Sequence, residues 1–305
     1  DISNVDGDGE GFGCTKRDAV FNNDAIGNVN NGFELPFGDV VDNDAYNNGG
    51  GGFLGATVGF LCGNVASQNG DDGFDVDNDN TFTNSGTFGS ATCARGGNRA
   101  LANGGDGFEI GGRNVFLPAT VPGTPTIGGS PVHFAWCNGD NGVAMGTGGG
   151  DENRIRRVSA MNNRNDGFDT PGGSNDNYLS HNVAGNRVGT GTGGVLTPAD
   201  CTPPGHPSSA PALTALPGGL VAGDQDNGWD NAGGTAANPN RAWRNTFGDP
   251  DFENSTTLGA SFTGNAKGIQ ITGGSVVLEE SSGAVGTTVA ADLDGNGTSG
   301  EACNV

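Results

Sequence analysis

The sequence predicts an all-β fold, a right-handed parallel β-helix (β-solenoid) with coils of about 20–25 residues and inserted loops. Three observations predict it: a phrase that recurs along the chain, short stretches in which apolar and polar residues alternate, and a composition of 60 Gly and 16 Phe in 305 residues. The phrase is Asn, three residues, Gly, then a bulky apolar residue. It occurs from Asn28 to Gly32-Phe33, Asn48 to Gly52-Phe53, Asn69 to Gly73-Phe74, Asn103 to Gly107-Phe108, Asn138 to Gly142-Val143 and Asn163 to Gly167-Phe168. Those glycines are 20, 21, 34, 35 and 25 residues apart, so some coils carry insertions. Weaker copies stand at Gly228-Trp229-Asp230 and Gly268-Ile269-Gln270.

Each position has a physical reason. In Gly73-Phe74-Asp75-Val76 the alternation turns Phe74 and Val76 inward and Asp75 outward. The Gly supplies a positive φ or a close approach at a sharp corner. Asn28, Asn48, Asn69, Asn103, Asn138 and Asn163 are expected to stack as an amide ladder, coil upon coil, satisfying backbone groups buried in the turn. A second strand precedes the phrase in Asn64-Val65-Ala66-Ser67, Asn98-Arg99-Ala100-Leu101 and Arg157-Val158-Ser159-Ala160. We therefore divide the chain into a Gly/Asp-rich segment at 1–17, a β-helix at 18–277 and a tail at 278–305. Loops near 117–131 and the proline-rich 197–219 interrupt the helix and are expected to shape a binding face or serve as contact arms.

Composition narrows the function classes. With 35 acidic residues against 13 basic ones the net charge is −22, which disfavours nucleic acid as a partner. No apolar run reaches the roughly 18 residues of a bilayer span, so membrane insertion is not expected. Cys14, Cys62, Cys93, Cys137, Cys201 and Cys303 lie far apart with no CxxC pair, a pattern of long-range disulfides with fifteen possible pairings. Together with a first residue, Asp1, that follows no initiator Met, they lead us to expect a secreted protein, extracellular or at the cell surface.

Stacking also aligns acids. Asp72 should meet Asp106, and Asp75 should meet Glu109, in neighbouring coils. Two bare carboxylates about 5 Å apart repel by ~3 kcal/mol at an effective dielectric near 20. A hard cation with oxygen ligands reverses that repulsion, so Asp71, Asp72, Asp75, Asp106 and Glu109 are candidate Ca2+ ligands. Asp6, Asp8 and Glu10, and likewise Asp292, Asp294 and Asn296, alternate with Gly or Leu as short calcium loops do.

The phrases Asn69-Gly-Asp-Asp-Gly-Phe-Asp75 and Gly105-Asp-Gly-Phe-Glu-Ile-Gly-Gly112 resemble the coils of right-handed β-helix polysaccharide lyases, especially the family 9 pectate lyases. The resemblance spans about residues 20–275 and lies chiefly in the coil signature. It implies an Asp cluster, here Asp71, Asp72, Asp75 and Asp106, that holds calcium against a substrate uronate. It also implies a lysine base in a phrase like Gly-Phe-Lys-Leu-Gly-Gly, but the matching position here is Glu109. The only lysines are Lys16 and Lys267, and no catalytic residue is assigned. The expectation is thus a calcium-stabilised extracellular structural protein, self-associating through its solenoid ends or tails into a filament. The alternative is a calcium-dependent pectate-type lyase, or a β-helix that binds extracellular polysaccharide.

Overall fold

The computed structural model describes residues 12–13, 20–57, 59–88, 91–117, 131–146, 150–171, 173–185, 196–218, 220, 225, 228–231, 240–247, 256–261 and 277–278. Asp6, Asp8, Glu10, Cys14, Asp292, Asp294, Asn296 and Cys303 lie outside them, as does most of the loop at 117–131. The described chain is all-β, and no helix in it is long and apolar enough to cross a membrane.

Successive coils build parallel sheets, the right-handed β-helix that the repeat predicts. The first sheet stacks eight strands, among them Phe33–Phe37, Phe53–Thr57, Phe74–Val76, Phe108–Ile110, Val143–Met145, Phe168–Thr170 and Trp229–Asn231. The second runs through Phe60–Cys62, Thr81–Thr83, Val115–Phe116, Arg154–Arg156 and Tyr178–Ser180. The third runs through Asp24–Ile26, Asp44–Tyr46, Val65–Ser67, Arg99–Leu101, His133–Trp136, Val158–Met161 and Val183–Gly185. The long strand Asn240–Phe247 pairs with both Tyr178–Ser180 and Val183–Gly185, joining the second and third sheets.

Identical residues fill the core because identical positions stack. Phe33, Phe74, Phe108 and Phe168 are fully buried. The rings of Phe33, Phe53, Phe74 and Phe108 lie face on face at 4.8, 4.8 and 4.9 Å. Phe82 and Phe116 of the second sheet stack at 4.2 Å and meet the first column edge-on. The glycine before each Phe marks a close approach. A Cβ on Gly73 would lie 2.6 Å from the carbonyl oxygen of Gly107 and 2.7 Å from the Cβ of Ala100 in the next coil.

All three corners carry ladders. At the first, the Nδ2 of Asn28, Asn48, Asn69, Asn103 and Asn138 each donates to the Oδ1 of the next asparagine, at 2.7, 2.8, 2.9, 3.0 and 3.0 Å, ending on Asn163. Gln225 then continues the run, its Oε1 accepting from the Asn163 amide. A second ladder passes through Asn23, Asn43, Asn64 and Asn98. Its next position is His133, whose Nδ1 accepts the Asn98 N–H at 3.1 Å, and burial pushes that imidazole down to about 3, leaving it neutral. A third ladder, of Asn80, Asn114, Asn153 and Asn177, accepts backbone N–H groups. The residue before the asparagine takes a positive φ at many of these corners, as Gln68, Ala102, Asp79 and Arg113 do.

Two insertions are fastened to the coils. Cys62–Cys93 ties down the loop that holds an antiparallel hairpin, Thr87–Phe88 with Ala91–Thr92, and Cys137–Cys201 ties down the proline-rich excursion. That excursion lies against the coils. Its Leu213, with Leu196 and Leu220 at its two ends, packs with Leu101 and Trp136, covering part of the outer side of the third sheet. Arg99 holds it by donating to the Gly205 carbonyl at 2.8 Å, and Gln68 by accepting from the Thr214 amide at 2.9 Å.

Candidate metal centre

The first sheet and its corner carry the acids. Asp75 pairs in register with Glu109, and the outward column continues through Ala144, Asp169 and Asp230. The residues before the phrase glycines form a column of their own, interrupted at Gly51, in which four side-chain oxygens accept a backbone N–H from the following coil. Asn31 accepts from Gly51 at 2.8 Å, Asp72 from Asp106 at 2.6 Å, Asp106 from Asn141 at 2.7 Å and Asn141 from Asp166 at 3.0 Å.

Asp72, Asp106 and Glu109 offer carboxylate oxygens that all lie within 4.8 Å of one another. All three are partly buried, as is Asp75, whereas Asp71 is exposed beside them. Burial pushes the Asp72 carboxyl up to about 8, and the charges of Asp106, Asp71 and Glu109 push the same way against the Asp106 N–H. Burial likewise raises Asp106 to about 7, with Asp140 and Glu109 adding to it and the Asn141 N–H opposing. Asp75 is raised to about 6 by burial, then by Glu109, Asp77 and Asp71. Among the described residues, the charges that shift these three carboxyls are all negative.

A different treatment of a buried carboxylate stands on the third sheet. Asp44 is also raised to about 6 by burial, but Arg95 lies 2.6 Å from its Oδ1 and draws it back. Among the described residues, a guanidinium pairs with Asp44, and none pairs with Asp72, Asp106 or Glu109. Three converging carboxylate oxygens, partly buried and mutually repelling, are a donor set of the kind that hard cations take. Sequence reasoning located these residues by column alignment. It missed their hydrogen bonds to the next coil, for which the occurrence of both Asn and Asp in one column, at Asn31, Asp72, Asp106 and Asn141, was the available signal.

Compared with known proteins, the chain matches no family model, and no curated protein or solved structure is detectably similar to it.

Proposed function

We propose that the chain is an extracellular β-helix scaffold, stiffened by calcium bound between neighbouring coils at Asp72, Asp106 and Glu109, and structural rather than catalytic. One observation carries the reading: in the column before the phrase glycine, Asn31 and Asn141 make the same inter-coil hydrogen bond as Asp72 and Asp106. The bond does not need a carboxylate. The charge at Asp72 and Asp106 is thus surplus to the fold, and it stands where Glu109 adds a third carboxylate. A divalent cation gives that surplus a use. Glu109 also occupies the position where the resembling lyases carry their base, and an anion beside a bound uronate is ill suited to abstract a proton. The disulfides Cys62–Cys93 and Cys137–Cys201 agree with an oxidising exterior. The ends of the solenoid offer the route to self-association, since Asp24–Ile26 pairs with Asp44–Tyr46 on one side alone among the described residues.

The test compares melting temperatures in millimolar calcium and in sodium chloride of equal ionic strength, for the wild type and Asp72→Asn. We expect a calcium-specific rise in the wild type that the variant largely loses. No calcium-specific rise, or calcium-dependent release of unsaturated uronates from polygalacturonate by a monomeric protein, would overturn the scaffold reading.

A further inference from the structure

The three faces of the solenoid are finished differently. The first sheet is acidic, and part of the outer side of the third is covered by Leu196, Leu213 and Leu220. The second sheet is covered at Val41 and Cys62 by the loop that Cys62–Cys93 fastens, and carries exposed apolar residues elsewhere on its outer face. Of the large hydrophobic residues exposed in the described chain, Phe21 (46 %), Phe60 (42 %), Leu117 (45 %) and Tyr178 (39 %) belong to its strands or directly continue them, and Val29 alone stands elsewhere. The register places Phe60, Thr81, Val115, Arg154 and Tyr178 in one outward column, about 4.8 Å apart from strand to strand.

The charges on this face are self-complementary. Arg154 is exposed and Arg156 partly buried, and the ion pairs of the described residues, Arg95–Asp44 and Arg113–Asp79, use neither. Arg156 Nε is buried with no hydrogen-bond partner. Glu152 and Asp176 stand exposed at the corner two residues before Arg154 and Tyr178, also outside those ion pairs. Arg154 and Arg156 thus stand beside Glu152 and Asp176, so both signs of charge are present on this face of a chain of net charge −22. A second copy approaching any acidic face meets repulsion, whereas here it brings matching opposite charges.

We propose that the outer face of the second sheet is the contact between two copies of this chain, packed side by side about a two-fold axis. An isologous contact sets each residue against its counterpart's neighbours, so the Arg154 and Arg156 pair of one copy meets Glu152 and Asp176 of the other while the apolar residues meet between them. The contact is lateral and lies away from the metal centre. It therefore forms with or without calcium.

Analytical ultracentrifugation of the full chain, from low to high micromolar in chelator and in calcium, reads it directly. We expect a concentration-dependent dimer of equal strength in both buffers. Leu117→Asp should raise the dissociation constant about thirtyfold, the ordinary cost of losing a central interface anchor. The paired variants Arg154→Glu/Arg156→Glu and Glu152→Arg/Asp176→Arg should each be monomeric alone and should dimerise when mixed. Circular dichroism and melting curves matching the wild type confirm that each variant is folded, and a variant that fails this check is replaced by Tyr178→Ser. A monomer at every concentration, or a dimer indifferent to these changes, overturns the contact. Because the calcium reading is judged by melting temperature and this one by mass, either can fail alone.

Discussion

Two ladders three residues apart do similar work with different chemistry. Asn69, Asn103 and Asn138 accept backbone N–H groups from the preceding coil and also donate through Nδ2, so each link is neutral and doubly bonded. Asp72 and Asp106 accept backbone N–H groups as well, but a carboxylate has no proton to donate onward. Stacking amides therefore adds bonds, and stacking carboxylates adds repulsion. The amide ladder lies wholly inside, with Asn103 and Asn138 fully buried, while the carboxylates lie part-way to solvent where a cation can reach them. The comparison teaches that the first ladder serves the fold and the second spends stability on charge.

Exchanging the two chemistries tests this. Asn103→Asp places a carboxylate in a fully buried link and removes donors to Asn138 Oδ1 and the Ala66 carbonyl, and we expect a loss of about 3–5 kcal/mol in urea unfolding. Asp72→Asn retains the acceptor for the Asp106 amide, so calcium-free stability should hold or rise. The same two residue types thus give opposite signs at the two ladders. Calcium should raise the stability of the wild type by about 2.7 kcal/mol at a hundredfold excess over its Kd, and that increment should be small in Asp72→Asn. Between these in kind is Gly73→Ala, whose Cβ would press on the Gly107 carbonyl and on Ala100 from the next coil; we expect a loss of about 1–3 kcal/mol, insensitive to calcium.

An effect of a different kind is a slope with pH. Asp72 and Asp106 titrate near 8 and 7 in the folded chain, above the ordinary value of 3.8, so the folded state holds protons that the unfolded state has released. Their stabilising contribution is complete below about pH 4 and is lost as pH rises through 7 to 8. In chelator, the part of the melting temperature that differs between wild type and Asp72→Asn should therefore widen with rising pH. In calcium the wild type should lose this slope, because the cation then takes the place of the proton. A wild-type slope equal to that of the variant would place the surplus charge elsewhere.

Much of the fold is legible because a repeat packs on copies of itself. The Gly-Phe phrase names the first sheet, its ring column and its ladder at once, since Phe74 contacts Phe53 and Phe108 by virtue of occupying the same position. The other two ladders are less legible. Asn23, Asn43, Asn64, Asn98 and Asn182 share an alanine two residues on, at Ala25, Ala45, Ala66, Ala100 and Ala184, but no aromatic marks them. The reason for the alanines lies across the coil, where Ala45, Ala66, Ala100 and Ala184 fill the space beside Gly32, Gly52, Gly73 and Gly167. His133 and Gln225 are invisible as ladder members until the stack shows them standing in asparagine positions.

By itself, then, the sequence determined the period, the parallel stacking, the inward Phe and outward acid columns, and the meeting of Asp72 with Asp106 and of Asp75 with Glu109. These follow from one coil repeated, and a regular rise turns linear spacing into contact. Tertiary structure alone decided what the insertions do, because residues in them have no repeated copy to predict their neighbours. It selected Cys62–Cys93 and Cys137–Cys201, with Cα separations of 5.8 and 5.7 Å, from fifteen pairings. It laid the proline-rich excursion on the third sheet, where Leu196 and Leu213 cover Trp136. It left Phe60, Leu117 and Tyr178 of the second sheet partly exposed, near Arg154 and Arg156, because the fastened loop packs on Cys62 and the proline-rich excursion on the third sheet.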